Sequence, residues 1–296
     1  MMKKFLSIGL TLLFALLLLL YPAQASAAVG DGLLLCANTV IPSLFPFFVV
    51  VSLLGQLGFA NWLQRLFAPL MGPLFRMDGV CVMPLMAGLL GGYPSGAKAA
   101  AELYEQNLLS RQEAQKLLGF CNNCGPAFLL GYVGTVVLKN PSAGWQLYCI
   151  HAASALITGM LLCRLCRQRG PALLPCRLPQ QTPSFSSSFT SSVTGAFSST
   201  MQICAYVTIF RVAAALLPLP PIASGVLEMV SGVAALSPGR TGFVLAAAIT
   251  SWGGLSVHFQ AMSVTGKLSM KYYWTGKAVQ TAVAAALAAT LPPLVL

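Results

Sequence analysis

Charged residues are scarce in this chain, and acidic residues are the scarcest of them. Only 8% of the 296 residues are charged, with six Asp and Glu against 17 Lys and Arg, whereas soluble domains carry about 25% charged residues. Too few polar groups are available to face water over a whole folded surface. The composition therefore excludes a soluble enzyme and favours a membrane protein.

Catalytic and metal-binding motifs are also missing. The chain contains no G-x-S-x-G, H-E-x-x-H or Walker sequence, so hydrolase and ATPase activities lack support. Ser95 and Lys98 form an S-x-x-K pair without its S-D-N and K-T-G companions, so an intramembrane serine enzyme is an alternative that rests on this pair alone. Most of the nine cysteines lie in apolar segments, and none completes a zinc site. We expect a non-enzymatic protein without metal or cofactor.

Apolar runs, in contrast, are abundant, because 57% of the residues are hydrophobic. The runs are Phe5 to Tyr21, Leu44 to Leu57, Val80 to Leu90, Leu117 to Leu138, Trp145 to Leu162, Val193 to Leu217, Phe243 to Val264 and Trp274 to Leu296. Several are too short or too broken to cross a hydrocarbon core of about 30 Å. We expect an all-α polytopic fold in the lipid bilayer with about eight to ten membrane segments, some of them re-entrant half-helices.

The basic residues lie at segment ends, as membrane topology requires, and do not form the face that nucleic acid would bind. Lys3 and Lys4 precede the first apolar run, so we expect a cytoplasmic N-terminus. Met1 to Ala28 resemble a signal peptide, but their apolar run is long, and we expect a retained signal-anchor helix over residues 1–30. Residues 166–192 are rich in Pro, Ser and Arg and are predicted to form a cytoplasmic linker.

This linker divides the chain into two similar parts, 31–165 and 193–296. A Leu-Ser pair, a basic residue, an apolar helix and a glycine-containing break follow one another from Leu108 and again from Ala235. The first part is entered from outside and the second from the cytoplasm, so we predict two inverted repeats. Broken helices in inverted repeats place a solute site near the bilayer midplane.

Two polar breaks in the first part are candidate binding elements. In GGYPSGAK, paired glycines and a proline end one helix, and a new helix should begin near Ser95. Its free N–H groups and Lys98 would bind an anion, although a plain turn explains the motif as well. In CNNCGPAF, the amides of Asn122 and Asn123 would contact a polar solute or satisfy the broken backbone.

The second part adds two more candidates. In SWGGLSVHFQ, the glycines open the helix, and Ser256, His258 and Gln260 alternate with apolar residues. His258 is predicted to contact solute, to carry a proton or to be an ordinary buried histidine. Glu228 has apolar neighbours on both sides, and a charge at bilayer depth costs about 2.5 to 3.5 kcal/mol, so it should face the protein interior.

These motifs carry a family resemblance. PSLFPFF, GGYPSGAK, FCNNCGPAF, LEMVSGV and GGLSVHFQ, in this order, resemble the sporulation integral membrane proteins of the YlbJ or SpoVV type. The resemblance implies two Gate, or nucleoside-recognition, domains and a distant similarity to concentrative nucleoside transporters. It also implies a role in endospore formation, in which the protein lies in the outer forespore membrane and moves dipicolinic acid from the mother cell towards the spore.

The leading hypothesis is an inverted-repeat carrier for a small aromatic or carboxylate solute such as dipicolinic acid. Helix ends, the Lys98 charge and the amides of Asn122 and Asn123 would together bind the carboxylates, while Glu228 would be protonated, bound to a cation or turned towards the opposite repeat. The coupling ion is left open. A nucleoside carrier is the first alternative, and a non-transporting membrane scaffold for spore-envelope assembly is the second.

Overall fold

The computed structural model describes residues 2–165, 184–217 and 221–291, and every regular element in these ranges is a helix. The α-helices are α1 (Met2–Leu20), α2 (Pro22–Leu35), α3 (Ile41–Gln56), α4 (Phe59–Phe75), α5 (Val82–Gly91), α6 (Ser95–Glu105), α7 (Arg111–Cys121), α8 (Pro141–Leu165), α9 (Phe185–Leu216), α10 (Pro221–Leu227), α11 (Met229–Ala234), α12 (Arg240–Trp252), α13 (Gly254–Val264) and α14 (Lys271–Thr290). Two π-helices, Cys36–Val40 and Ala127–Val137, and a 3₁₀ turn, Gly79–Cys81, complete the list. The predicted all-α class is confirmed.

Three helical stretches are long and apolar enough to cross a membrane: Pro141–Leu165, Phe185–Leu216 and Arg240–Val264, the last comprising α12 and α13. Two further stretches qualify only as pairs of helices, bent by 99° between Leu20 and Pro22 and by 107° between Phe75 and Gly79. The described residues therefore supply three to five full-length candidate spans. Shorter apolar helices, Leu44–Gln56 and Ala127–Val137, are of the half-helix kind that was expected among the eight to ten membrane segments.

The helix ends differ from two expected segment boundaries. Helix α2 continues through residue 30, where the N-terminal segment was expected to end. Helix α9 begins at Phe185, so the serine-rich end of the expected linker is helical, with the Ser184 hydroxyl accepting a hydrogen bond from the Ser187 N–H. Residues 166–183, which include most of the linker, lie outside the described residues.

Glycine, proline and capping residues set the breaks between half-helices. Helix α5 ends at Gly91, and Gly92 adopts a positive φ of 79° that favours glycine. Helix α6 then begins at Ser95, as predicted. Helix α12 ends at Trp252, and the next residue, Gly253, has a φ of 91°, so this break also lies at the expected position. Four breaks thus follow α5, α7, α10 and α12.

The starts of α7 and α12 do not match as the repeat pattern predicted. Ser110 caps α7, and Glu113 completes a capping box by accepting a hydrogen bond from the Ser110 N–H. The corresponding Ser237 does not cap α12, where Gly239 holds the N-cap position with no side-chain hydrogen bond. The capping signal is therefore local to the first part, and the inverted relation of the two parts stays a prediction.

The two parts of the chain pack against each other. Helix α9 packs against α2 and α3, and α14 packs between α7, α8 and α12. Glycines allow the closest approaches: a Cβ built on Gly276 would overlap the Gly119 carbonyl oxygen, and one built on Gly232 would overlap Gly225. Backbones at this distance bring the polar groups of the breaks into direct contact, as small residues do in membrane helix packing.

Candidate functional site

A partly open cavity lies where the four breaks meet. Its empty volume is about 550 Å³, which includes space open to the surroundings. The lining residues that lie at the breaks or in the first turn after them are Gly91, Gly92, Tyr93, Cys124, Gly125, Glu228, Ser256 and Val257. Elements distant in the sequence therefore build one candidate site.

The cavity walls are mostly apolar and aromatic. Phe47 and Phe48 of α3 and Phe128 of the second π-helix face it, and Ile203 and Val207 of α9 extend the same surface. Four lining side chains carry a hydroxyl, carboxyl or amide group, namely Tyr93, Glu228, Ser256 and Gln260. This composition is typical of a site for a small, partly apolar molecule that a few polar groups orient.

Ser256 is an unusual member of this lining. The residue is 1% exposed, and its hydroxyl oxygen has no hydrogen-bond partner among the described residues. It lies in the first turn of α13, where backbone N–H groups lack helical acceptors. A buried polar group without a partner costs about 1 to 3 kcal/mol, so an acceptor or donor from a solute would relieve this cost.

Glu228 is fully buried, as expected, and acts as the N-cap of α11. Its two carboxylate oxygens accept hydrogen bonds from the N–H groups of Val230 and Ser231, at 2.9 and 2.6 Å. Arg211 adds positive charge nearby and donates to the Ser231 hydroxyl at 2.8 Å. The positive end of α11 therefore stabilises the carboxylate. Because both oxygens already accept a hydrogen bond, fewer acceptor positions are free for a solute than the sequence predicted.

Lys277 of α14 is the second buried charge near the breaks. Its ammonium nitrogen donates to the carbonyl oxygen of Asn122 at 2.5 Å and to that of Ser251 at 3.5 Å. These oxygens lie at the C-terminal ends of α7 and α12. The residue Tyr93 lines the cavity, and its hydroxyl oxygen lies 3.5 Å from the same nitrogen. Lys277 thus joins the ends of two half-helices directly behind the cavity wall.

A hydrogen-bond chain continues from Lys277 through the break after α7. Lys277 donates to Gln280 Oε1 at 2.7 Å, and Gln280 Nε2 donates to Asn123 Oδ1 at 2.9 Å. His151 Nε2 accepts from the Cys124 N–H at 3.0 Å, which places the proton on Nδ1, 3.2 Å from the Ser251 hydroxyl. The broken backbone of both half-helices is therefore held by side chains of α8 and α14.

His258 belongs to a separate aromatic cluster. Its Nδ1 lies 2.9 Å from the Tyr273 hydroxyl, and its ring packs edge-on against Trp252 and Trp274 with centroids 4.6 Å apart. Its Nε2 has no hydrogen-bond partner in the described part of the chain. Because the residue does not line the cavity, the structure supports its role as a buried core histidine.

Comparison with known proteins finds similarity over part of the chain. Residues 37–139 match the family described as "Gate: Nucleoside recognition". The chain is also 35% identical over 142 residues to the sporulation integral membrane protein YlbJ of Bacillus subtilis (strain 168). Both matches confirm the resemblance that the motifs indicated.

The match to YlbJ is partial for both proteins. It covers 48% of this chain and 35% of YlbJ, so the aligned region spans about a third of that relative. No solved structure matches the chain. The region that matches the Gate family contributes the breaks after α5 and α7 to the cavity, and residues beyond it contribute Glu228, Ser256 and Gln260.

The structure brings some of the expected site residues together and separates others. Glu228, Ser256 and Gln260 line the cavity. Asn122 and Asn123 are fully buried but lie in the Lys277 network; the Asn122 carboxamide interacts with the Tyr273 hydroxyl without forming a hydrogen bond of good geometry. These five residues are all near the breaks, as predicted, although only three line the cavity.

The expected anion site at Ser95 and Lys98 lies outside this cavity and stays a prediction. Lys98 is an exposed side chain whose ammonium lies 3.9 Å from Glu102 one turn along α6, and it does not line the cavity. Ser95 starts α6, but its hydroxyl packs towards Gly91 rather than into the cavity. Lys98 lies on the exposed side of α6, whose buried side is formed by Gly96, Ala97, Ala100, Ala101 and Leu103.

Sequence reasoning missed Lys277, Gln280 and His151. All three are less than 3% exposed and connect the two central breaks. The signal was present, because Lys277 and Gln280 occur in the otherwise apolar helix KYYWTGKAVQTAVAAALAAT. The rule that identified Glu228, an ionisable group with apolar neighbours, applies to Lys277 equally.

Proposed function

We propose that this integral membrane protein is a secondary or facilitated transporter of a small aromatic carboxylate, dipicolinic acid, during endospore formation. The observation that carries the proposal is the convergence of four half-helix breaks on one cavity. Carriers use this arrangement to bind a solute between elements that then move against each other. The similarity to a sporulation integral membrane protein supports the cellular role.

The aromatic part of the proposed solute is supported by the cavity walls. Phe47, Phe48, Phe128 and Tyr93 surround a space of about 550 Å³. Aromatic rings bind one another through offset and edge-on contacts worth about 0.5 to 1.5 kcal/mol beyond the area that they bury.

The carboxylate part is supported by helix starts. The π-helix that begins at Ala127 and helix α13 both begin at the cavity, and Ser256 adds an unpartnered hydroxyl beside the second. Each helix start stabilises an anion by about 0.3 to 1 kcal/mol, and by up to about 2 kcal/mol when partly buried. Because Lys98 lies elsewhere, recognition would rest on these dipoles, and the α11 dipole would keep Glu228 from repelling the solute.

A nucleoside is the second candidate because the cavity polar groups carry no positive charge. Glu228 and Gln260 offer oxygen acceptors, and Gln260 and Ser256 offer donors, which together suit ribose hydroxyls and base edges. The description of the Gate family as nucleoside recognition points the same way.

Uptake by the purified protein in lipid vesicles distinguishes these candidates. We expect saturable uptake of radiolabelled dipicolinate, competition by unlabelled dipicolinate and no competition by uridine. The reverse pattern of competition would replace dipicolinate by a nucleoside. Absence of uptake of either compound, from a folded protein, would favour the scaffold alternative.

A pair of serine variants tests the cavity itself. Ser256→Ala removes the unpartnered hydroxyl from the cavity, and Ser188→Ala removes an equally buried, unpartnered hydroxyl of α9 that does not line it. One lost hydrogen bond of about 1.4 kcal/mol corresponds to a tenfold rise in the KM of the solute. We expect this rise for Ser256→Ala alone. Equal behaviour of both variants would place binding elsewhere.

A further inference from the structure

We infer that the Lys277 ammonium is a tethered cation that fills a cation-binding site between the ends of α7 and α12. The site consists of main-chain and side-chain oxygens, namely the carbonyls of Asn122 and Ser251, the Gln280 amide oxygen and the Tyr93 hydroxyl. None of these groups was expected to bind an ion, and the protein itself supplies the occupant.

Every neighbour of the nitrogen accepts a hydrogen bond. The Tyr93 hydroxyl uses its own hydrogen on the Thr250 carbonyl oxygen, 2.9 Å away, so it can only accept from Lys277. An ammonium group has three donors and no acceptor. An all-acceptor environment therefore matches a cation, and it would suit a small alkylammonium or a metal ion of single charge in the same way.

The countercharge comes from helix ends. No carboxylate contacts Lys277 among the described residues. The last carbonyl groups of an α-helix carry partial negative charge, and two such ends meet at Lys277. Two half-helix ends together balance a single positive charge.

The backbone is built to hold this contact. Gly276, the residue before Lys277, packs so closely on Gly119 that any Cβ would overlap the Gly119 carbonyl oxygen. The nearby Gly119 allows a comparable approach to Tyr272, whose carbonyl oxygen would lie 2.8 Å from an added Cβ. This close packing of α7 and α14 places the lysine stem beside the end of α7.

The tethered cation has a consequence for transport, and that consequence rests on the proposed function. Carriers with broken helices commonly bind a coupling cation at the carbonyl ends of half-helices. In this protein Lys277 occupies that position, so the same place has no room for a soluble cation. We therefore expect the solute to move without Na⁺ or K⁺ bound between α7 and α12.

Cation binding by Lys277→Ala tests the site without any transport assay. Removal of the side chain leaves the oxygens and a space, so methylammonium should raise the melting temperature of the purified variant by several degrees. The wild type and Lys98→Ala should not respond, nor should Lys277→Met, whose side chain fills the space. Equal responses of Lys277→Ala and Lys277→Met would overturn the assignment.

Transport supplies the second readout. Wild-type uptake should be equal in Na⁺, K⁺ and N-methylglucamine media, uptake by Lys277→Ala should fall at least tenfold, and methylammonium should restore part of it. A Na⁺ requirement of the wild type would overturn the inference even if Lys277→Ala does not fold. If methylammonium binds but no solute is transported, the tethered cation stands and the proposed function fails.

Discussion

Glu228 and Lys277 are both fully buried charges, yet they are stabilised in different ways. Glu228 caps a single helix of six residues and lines the cavity. Lys277 joins the C-terminal ends of two longer helices and lies behind the cavity wall. In both cases the charge faces the helix end of opposite sign. The comparison teaches that helix ends, rather than ion pairs, allow charges inside this protein.

Lys277→Met gives the largest expected change in this comparison. It leaves the buried carbonyl oxygens of two helix ends without a donor, and each such group costs about 1 to 3 kcal/mol. We expect the free energy of unfolding in detergent micelles, measured by denaturant titration, to fall by roughly 3 kcal/mol. A fall no larger than that of Lys98→Met would show that the contacts contribute little.

Gly276→Ala should act on the same charge indirectly. The added methyl group overlaps the Gly119 carbonyl oxygen, so α14 must move away from α7. Overpacking of this kind costs about 1 to 3 kcal/mol. The control is Gly131→Ala, an exposed helical position with open space around it, which should be neutral or stabilised by up to about 1 kcal/mol. The melting temperature should fall for Gly276→Ala and should stay unchanged or rise for Gly131→Ala.

Glu228→Ala is expected to cost less than Lys277→Met, because only one helix end loses its partner. Loss of an N-cap side chain costs about 0.5 to 2 kcal/mol. Glu228→Gln keeps one acceptor for the helix and should retain most of the stability. Chemical denaturation of the two variants measures the difference, and equal stabilities would show that the charge, rather than the hydrogen bonds, matters.

Lys98→Ala should have the smallest effect. Its ion pair with Glu102 is exposed, and pairs of this kind on one helix contribute about 0.3 to 0.5 kcal/mol. We expect dipicolinate uptake at the wild-type rate. A large loss of uptake would return Lys98 to the binding site and would contradict the separation of the two lysines.

The helix breaks could be predicted because their causes are local. Glycines at 92 and 253 adopt positive φ angles that disfavour other residues, and Ser110 and Glu113 form a capping box within four residues. Glu228 could be identified as buried because its sequence neighbours are apolar. In contrast, the orientation of Lys98 depends on which face of α6 packs inward, and the GGYPSGAK motif does not specify that face.

The partners of the buried charges could not be predicted for a related reason. Lys277 is separated by more than 150 residues from Asn122 and by 26 from Ser251. Which helix ends approach α14 depends on the close packing of Gly119 and Gly276. That packing is a property of two surfaces rather than of either sequence segment alone.

The amino-acid sequence by itself determined an all-helical membrane protein with interrupted helices, a buried carboxylate and a family resemblance. These properties follow from composition and from short-range backbone preferences, which act within a few residues. Only the tertiary structure decided that four interruptions enclose one cavity, that Lys98 faces away from it, and that Lys277 links two helix ends. Such contacts join distant segments, and the free energy of burying charge selects among them only after the helices have packed.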